Sequence, residues 1–211
     1  MGLLGTGVSI EHEAKFGLDD CLDMEQRLRG LARLRTPWHF ESNSVYDRAG
    51  ELAASGRLLR LRRALTCTLT FKEPAPGPGT LRVKSRLERE TQIEDPQAMD
   101  AILRGLGYSS QLRYEKFRTV WELPQGLIYL DILPFGDFLE IEAIPEQISS
   151  IARHIGLDPG SAMDKSYHAL HQSWRRQNGL DACEDFVFDE ARHQRLTILL
   201  GCQAQGETNA D

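Results

Sequence analysis

The feature that most constrains this chain is a strict alternation of charged and apolar residues within several short stretches. In residues 10–16, Glu11, Glu13 and Lys15 alternate with mostly apolar neighbours. Successive side chains of a β-strand point to opposite faces, so an extended backbone places these three charges together on one face. The stretch therefore predicts a strand with one charged face and one apolar face.

The same segregation recurs along the chain. It predicts about eight strands, at residues 10–16, 36–47, 58–63, 66–72, 81–92, 114–121, 126–133 and 137–144. The stretch 81–92 has the longest charged row, at even positions from Arg82 to Glu90. The shared charged face comprises Glu11, Glu13, Lys15, Arg60, Arg62, Lys72, Arg86, Glu88, Glu90, Lys116, Arg118, Glu140 and Glu142.

Apolar residues at helical spacing predict helices between these strands. One helix follows Asp19 or Asp20, another begins at Asp95 and Pro96, and two more lie at 145–156 and 164–178. A parallel sheet buried on both faces would show continuous apolar runs instead of alternation. The pattern therefore predicts an α+β fold in which helices cover the apolar face of an antiparallel sheet.

The charged face has two interpretations. An open sheet could expose it to water, whereas a closed eight-stranded barrel would enclose it, with room for side chains or one small ligand. Enclosed charges are costly unless they are hydrated and paired. Mixed acids and bases would then suit a polyanion with a divalent cation, because carboxylates bind the metal and arginines bind phosphate oxygens. The pattern alone leaves both interpretations open.

Composition limits the expected partners. The chain has 211 residues and a formal net charge of -6, which argues against a general nucleic-acid binder. It has no apolar run of membrane-spanning length and no signal-peptide pattern, so we expect neither a membrane partner nor export, and the cytoplasm is the default location. We expect one domain at 1–178 and a partly helical C-terminal extension at 179–211, with a predicted helix at 189–200. Homodimer formation is left open.

An ordered set of motifs resembles the CYTH family, also called triphosphate tunnel metalloenzymes, over about residues 8–174. The set comprises Glu11-x-Glu13-x-Lys15, Leu-Arg-Leu-Arg at 59–62, Thr70-Phe71-Lys72, Arg86-x-Glu88-x-Glu90, the stretch 114–118, Asp131, the stretch 136–142 and Lys165-Ser166-Tyr167. The stretches 114–118 and 136–142 are most similar to the branch that contains class IV (CyaB-type) adenylyl cyclases. Asp131 is odd-numbered whereas Glu140 and Glu142 are even-numbered, but a turn intervenes, so the three can still share a face.

The resemblance implies a fold, a cofactor and roles for residues. The family fold is a closed eight-stranded antiparallel barrel that forms a tunnel, and Mg²⁺ or Mn²⁺ is the implied cofactor. The implied metal set is Glu11, Glu13, Asp131, Glu140 and Glu142. The implied triphosphate set is Lys15, Arg60, Arg62, Lys72, Arg86, Lys116, Arg118 and Lys165.

Three functional hypotheses follow. A cyclase would direct the 3′-hydroxyl of ATP at the α-phosphorus and release pyrophosphate, and the branch resemblance favours it. A hydrolase would direct water at the terminal phosphorus of tripolyphosphate or thiamine triphosphate, and the lack of a recognisable adenine pocket in the sequence favours it. The third hypothesis is a non-catalytic module that binds nucleotide or polyphosphate, although simple anion binding needs no carboxylates. Lys72, or Tyr46 acting with a lysine, is the candidate for catalytic proton transfer.

Overall fold

Antiparallel strands arranged in a ring dominate the structure, a computed structural model that describes residues 8–76 and 83–202. Within these residues the strands are β1 (Val8–Leu18), β2 (Arg33–Asp47), β3 (Leu58–Arg63), β4 (Thr68–Pro74), β5 (Lys84–Gln92), β6 (Ser109–Leu123), β7 (Gly126–Leu133) and β8 (Gly136–Ala143). They pair in the order β1-β5-β4-β3-β2-β6-β7-β8, and β8 pairs back onto β1. The predicted α+β class and the antiparallel pairing are confirmed.

The ring is joined through β1, whose two halves pair with different strands. Its first half, Val8–Glu13, pairs with β5, and its second half, Glu13–Leu18, pairs with β8. The second half also pairs with the segment before the fifth helix, because Lys15 N–H donates to the Met163 carbonyl at 3.3 Å and Met163 N–H donates to the Lys15 carbonyl at 2.7 Å. Met163 thus covers the edge of β1 beyond the point where its pairing with β5 ends.

The strand register brings the predicted charged face together. Directly opposed residues of an antiparallel pair have their side chains on the same face. Glu11 lies opposite Arg86, and Lys15 lies opposite Glu140. Asp131 lies opposite both Arg118 and Phe138. Since Phe138 is two residues from Glu140 in β8, the odd-numbered Asp131 shares the face of the even-numbered acids.

Helices cover parts of the apolar face. Within the described residues they are α1 (Cys21–Leu28), α2 (Glu51–Ala54), α3 (Pro96–Gly105), α4 (Pro145–His154), α5 (Tyr167–Gln177) and α6 (Glu190–Leu199), with a 3₁₀ turn at Pro159–Ser161. Asp20 and Asp95 cap α1 and α3, as predicted, by accepting backbone N–H groups. The largest core cluster joins residues of β1, β6, β7 and β8 to α1 and α4, among them Phe16, Leu28, Phe117, Ile141 and Ile151.

The described part of the C-terminal extension packs onto the strands. Phe186 and Phe188 are buried, and the predicted helix at 189–200 is present as α6. The imidazole of His193 in α6 lies edge-on to Phe40, with ring centroids 4.5 Å apart. The domain boundary at residue 178 stays a prediction, and residues 203–211 lie outside the described part of the chain.

Two further expectations concern the described chain only in part. The loop predicted at 74–79 and the beginning of the strand predicted at 81–92 fall partly on residues 77–82, which lie outside the described ranges. Arg82 is therefore not described, whereas Lys84–Gln92 forms β5. In the described ranges no helix has both the length and the apolar character needed to cross a bilayer.

Candidate functional site

The charged face of the strands surrounds a cavity of about 590 Å³. The described residues that line it include nine Lys or Arg and six Asp or Glu. The cavity-lining groups most relevant to chemistry are Glu11, Glu13, Lys15, Arg60, Arg62, Lys72, Lys84, Arg86, Tyr114, Lys116, Arg118, Glu140 and Tyr167. The excess of cations in a partly enclosed space favours an anionic ligand.

Three arginines of the cavity wall have an unused hydrogen-bond donor. The Nε–H groups of Arg60, Arg62 and Arg86 are buried and have no hydrogen-bond partner among the described residues. A buried donor without a partner loses its hydration without compensation. Guanidinium groups match phosphate oxygens in geometry and charge, so the three side chains suit a phosphate bound in the cavity.

The predicted triphosphate ligands meet at this cavity, with one exception. Lys15, Arg60, Arg62, Lys72, Arg86, Lys116 and Arg118 all line it. Lys165 is exposed and is not among the lining residues, although its neighbours Asp164, Ser166 and Tyr167 are. The structure therefore brings seven of the eight predicted residues together.

Glu41 of β2 is a buried charge that the sequence interpretation missed. Its side chain is 2% exposed and lies 3.6 Å from the Arg62 guanidinium and 3.6 Å from the Lys116 ammonium. Burial alone would raise the pKa of Glu41, but these two cations, with Arg118, hold it well below its ordinary value. Glu41 therefore stays ionised and fixes two of the cations that face the cavity.

Asp131 of β7 plays a similar part behind the cavity wall. It is fully buried and accepts hydrogen bonds from Arg118 Nε at 2.6 Å and Nη2 at 2.5 Å. Lys116 Nζ donates to it at 3.2 Å, and the Tyr167 hydroxyl donates at 2.6 Å. These four donors engage both carboxylate oxygens, so Asp131 orients the cations and the tyrosine.

Glu140 and Glu142 of β8 differ in their access to the cavity. Glu140 lines it, pairs with Lys15 and accepts from Arg118 Nη2 at 2.5 Å. Although burial raises the pKa of Glu140, Lys15 and Arg118 hold it well below its ordinary value. Glu142 accepts the Tyr129 hydroxyl at 2.6 Å and is not among the lining residues.

The carboxylates of β1 and β5 have fewer cationic partners. Lys72 pairs with both Glu11 and Glu88, while Glu13 lies 3.4 Å from Lys84. Burial raises the pKa of Glu11 to about 7, and the adjacent carboxylates of Glu13 and Glu88 add to this rise although Lys72 opposes it. Such crowding of carboxylates is the environment in which an added cation is most favourable.

The five predicted metal ligands do not converge as one set. Across residues 8–76 and 83–202, no three Asp, Glu, His or Cys side chains are placed to bind a single ion. The physical reason is that Asp131, Glu140 and Glu142 are engaged by arginine, lysine or tyrosine donors. Mg²⁺, however, usually binds through one or two carboxylates together with substrate phosphates. Glu11 and Glu13, which both line the cavity, fit that requirement.

Tyr46 does not meet a lysine as the sequence interpretation proposed. Its hydroxyl donates to Asp100 of α3, and its ring packs with Leu61 and Leu103. A register shift between Val45 and Tyr46 in the β2–β6 pairing breaks the alternation at this point. Burial and Asp100 raise the pKa of Tyr46 to about 12. Tyr46 lines the cavity, but its hydroxyl contacts Asp100 of α3 instead of a lysine, so its part in proton transfer stays a prediction.

Comparison with known proteins identifies the family. The CYTH domain family model matches residues 9–167, so the chain belongs to the CYTH domain family. No curated protein matches it.

Among solved structures, the PH1012 protein of Pyrococcus horikoshii is 25% identical, with a TM-score of 0.63 over 74% of this chain and 96% of that one. A candidate adenylate cyclase of Vibrio parahaemolyticus is 20% identical, with a TM-score of 0.65 over 77% and 98%. The candidate adenylyl cyclase HpAC1 of Hippeastrum, described as having a dominant triphosphatase activity, is 21% identical, with a TM-score of 0.57 over 82% and 97%. The last two similarities concern the fold alone.

Proposed function

We propose that this protein is a divalent-metal-dependent enzyme that acts on a nucleoside triphosphate, with conversion of ATP to cyclic AMP and pyrophosphate as its reaction. The proposal treats the strand ring as a closed tunnel that surrounds the triphosphate. The observation that carries it is the convergence of Arg60, Arg62, Arg86 and further lysines and arginines on one cavity with an excess of cations. Family membership supports it, because CYTH proteins are generally enzymes that act on triphosphates with divalent ions.

The lining of the cavity favours a substrate with an organic group. Besides the charged residues, an apolar set from α2, β2, β3 and β6 lines it, namely Val45, Leu52, Ala53, Leu58 and Leu112. Ligand sites usually combine an apolar surface with a few placed polar groups. Inorganic tripolyphosphate would leave this apolar surface uncovered, whereas a nucleoside would bury it.

In the proposed complex, the residues of this chain mainly bind and position the substrate. Phosphoryl transfer depends on alignment and on neutralisation of charge at the phosphate oxygens. Arg60, Arg62 and Arg86 would bind those oxygens. Burial and Arg60 lower the pKa of Lys72, but the carboxylates of Glu11 and Glu88 raise it above its ordinary value. Lys72 therefore stays protonated and would act as a hydrogen-bond donor. A divalent ion held by Glu11, Glu13 and the phosphates would supply further neutralisation.

The proposed reaction conserves atoms and charge. The 3′-hydroxyl of ATP loses its proton to water and its oxygen forms a bond to the α-phosphorus. The bond from that phosphorus to the bridging oxygen breaks, and pyrophosphate leaves with the bridging oxygen. The lysines and arginines of the cavity would stabilise the charge that accumulates on pyrophosphate.

A triphosphate hydrolase is the second candidate. The similarity in fold to the Hippeastrum protein, which is described by its dominant triphosphatase activity, favours it. The same cavity would bind the substrate, but water would attack the terminal phosphorus and orthophosphate would be released.

One experiment separates these reactions. The purified protein is given ATP, tripolyphosphate or thiamine triphosphate with Mg²⁺ or Mn²⁺, and the products are separated by chromatography. Cyclic AMP with an equal amount of pyrophosphate supports the cyclase, and orthophosphate supports the hydrolase. Binding without any product would contradict an enzymatic function, and absence of both binding and product would contradict the proposed site.

A further inference from the structure

A segment outside the family match forms part of the cavity wall. The CYTH match ends at residue 167, yet Glu184 and Phe186 line the cavity together with α5 residues. Phe186 is 3% exposed, so it contributes to the wall as a packed residue. We call residues 183–188 the wall segment.

The wall segment binds an edge of β6 that β7 does not cover. Pairing of β6 with β7 is confined to Phe117–Leu123. Before that point, Phe186 N–H donates to the Arg113 carbonyl at 3.1 Å, and Glu115 N–H donates to the Phe186 carbonyl at 3.1 Å. An exposed strand edge carries unpaired backbone groups, and the wall segment satisfies two of them.

The side chain of Phe186 supports Tyr114 from behind. The two rings are stacked, with centroids 5.1 Å apart and planes at 22°. The other contacts of Phe186 are edge-on to Phe135 at 5.5 Å and tilted against His171 at 4.9 Å. An aromatic ring packed in this way has little freedom, so it limits the positions that Tyr114 can adopt.

Tyr114 in turn contacts one of the cavity arginines. Arg60 Nη1 donates to the Tyr114 hydroxyl oxygen at 3.2 Å, and Nη2 donates to Thr70 at 3.4 Å. Arg60 Nε has no partner among the described residues. An arginine side chain has large rotamer entropy. A fixed acceptor for one Nη atom therefore reduces the conformational entropy that Arg60 loses when an anion binds.

We propose that Phe186 is a positioning residue: through Tyr114 it holds Arg60 in the orientation that binds the triphosphate. The inference rests on the proposed function for the identity of the ligand, while the chain of contacts from Phe186 to Tyr114 to Arg60 is independent of it. By this inference the C-terminal extension is part of the binding site, although the family match ends before it.

Phe188 provides a matched control within the same segment. It is buried as Phe186 is, but its ring packs against Phe117 of the core, with centroids 5.4 Å apart, and it belongs to a different cluster. A general loss of packing would affect F186L and F188L alike. Positioning of Arg60 would be lost in F186L alone.

The first test measures binding of tripolyphosphate and of ATP by calorimetry without metal, for F186L, F188L, Y114F and the F186L/Y114F double variant, together with each Tm. F186L and Y114F should each weaken binding roughly threefold to tenfold, the range expected for loss of one aromatic or hydrogen-bond contact. The affinity of the double variant should be no lower than that of the weaker-binding single variant, because both changes break the same chain of contacts. In steady-state kinetics, F186L and Y114F should raise the KM for the triphosphate, while kcat changes little.

If F186L and F188L lose equal affinity for the triphosphate, in proportion to the fall in their Tm values, the inference would be overturned. Additive losses in the double variant would overturn it as well.

A second readout needs no substrate and keeps the inference separate from the proposed function. Although burial raises the pKa of the Tyr114 phenol, Arg60, Lys116 and Arg62 bring it below its ordinary value. Ultraviolet titration of each protein, with Y114F as the reference, measures that ionisation. F186L should raise the pKa of Tyr114 towards its ordinary value, and F188L should not. An unchanged titration in F186L would overturn the inference even if triphosphates bind, and absence of binding in the wild type would overturn only the proposed function.

Discussion

Two groups of carboxylates around the cavity differ in how completely they are paired. The buried group, Glu41, Asp131 and Glu140, has side chains 0–11% exposed, and each member is engaged by at least two cations. The rim group, Glu11, Glu13 and Glu88, has side chains 15–16% exposed and shares Lys72 and Lys84. The buried group fixes the cations that we propose bind phosphate, whereas the rim group is where we propose that one more cation binds. Similar residues thus serve different purposes because their partners differ.

The largest expected effect concerns activity at the rim group. Glu13→Ala should abolish metal-dependent turnover while the Tm stays close to that of the wild type, because the lost oxygens are those proposed for the metal. Titration of activity with Mg²⁺ and Mn²⁺ measures this. Glu146→Ala, an exposed acid in α4, is the control and should retain activity. Full activity in Glu13→Ala would remove Glu13 from the metal site.

A change in the buried group should affect folding instead. Asp131→Ala removes one buried partner of Arg118 and of Lys116, which then keep Glu140 and Glu41, respectively. Breaking a buried ion pair costs about 3–5 kcal/mol of unfolding free energy. Urea denaturation measures the loss, with Glu142→Gln as a milder variant of the neighbouring strand. A loss below about 1 kcal/mol, typical of an exposed pair, would contradict the assignment of Asp131 to the buried group.

Removal of a cavity cation should mainly weaken binding. Arg62→Ala deletes a charge-assisted contact worth about 1.5–3 kcal/mol, so we expect roughly a tenfold to hundredfold weaker affinity for triphosphate. Calorimetry without metal measures the affinity, and Arg153→Ala, an exposed arginine of α4, is the control. Unchanged binding by Arg62→Ala would show that the phosphates lie elsewhere.

The smallest expected effect is a pH-dependent gain in stability. The folded-state pKa of Glu11 is about 7, above its ordinary value of 4.5, so ionisation of Glu11 destabilises the metal-free fold as pH rises through that interval. Glu11→Gln should therefore stabilise the metal-free protein at pH 8, by on the order of 1 kcal/mol, and the gain should vanish below pH 4.5. Urea midpoints at both pH values, measured with a chelator, test this. A gain that does not depend on pH would contradict the raised pKa.

The sequence was a good guide where the information is local. Alternation along β1 and β3 was sufficient to place Glu11, Glu13, Arg60 and Arg62 on one face, because strand side chains alternate with a period of two. It could not show that Asp131 is enclosed by donors from β6 and α5, since those contacts depend on long-range register. The pairing of Glu41 was hidden for the same reason, although His39 and Glu41 alternate with Trp38 and Phe40.

Two other differences arise from irregular backbone. The register shift beside Tyr46 interrupts the alternation and leaves its hydroxyl against α3. The wall segment has too few residues for a periodic pattern, so no local signal placed Phe186 beside β6. Both positions are determined by tertiary contacts and not by propensity.

The most direct test is a crystal structure of the protein with a non-hydrolysable ATP analogue and Mn²⁺, located by anomalous scattering. The account predicts phosphate oxygens on the guanidinium groups of Arg60 and Arg62 and the manganese signal at Glu11 and Glu13. A nucleotide bound outside the strand ring, with the cavity arginines untouched, would contradict it.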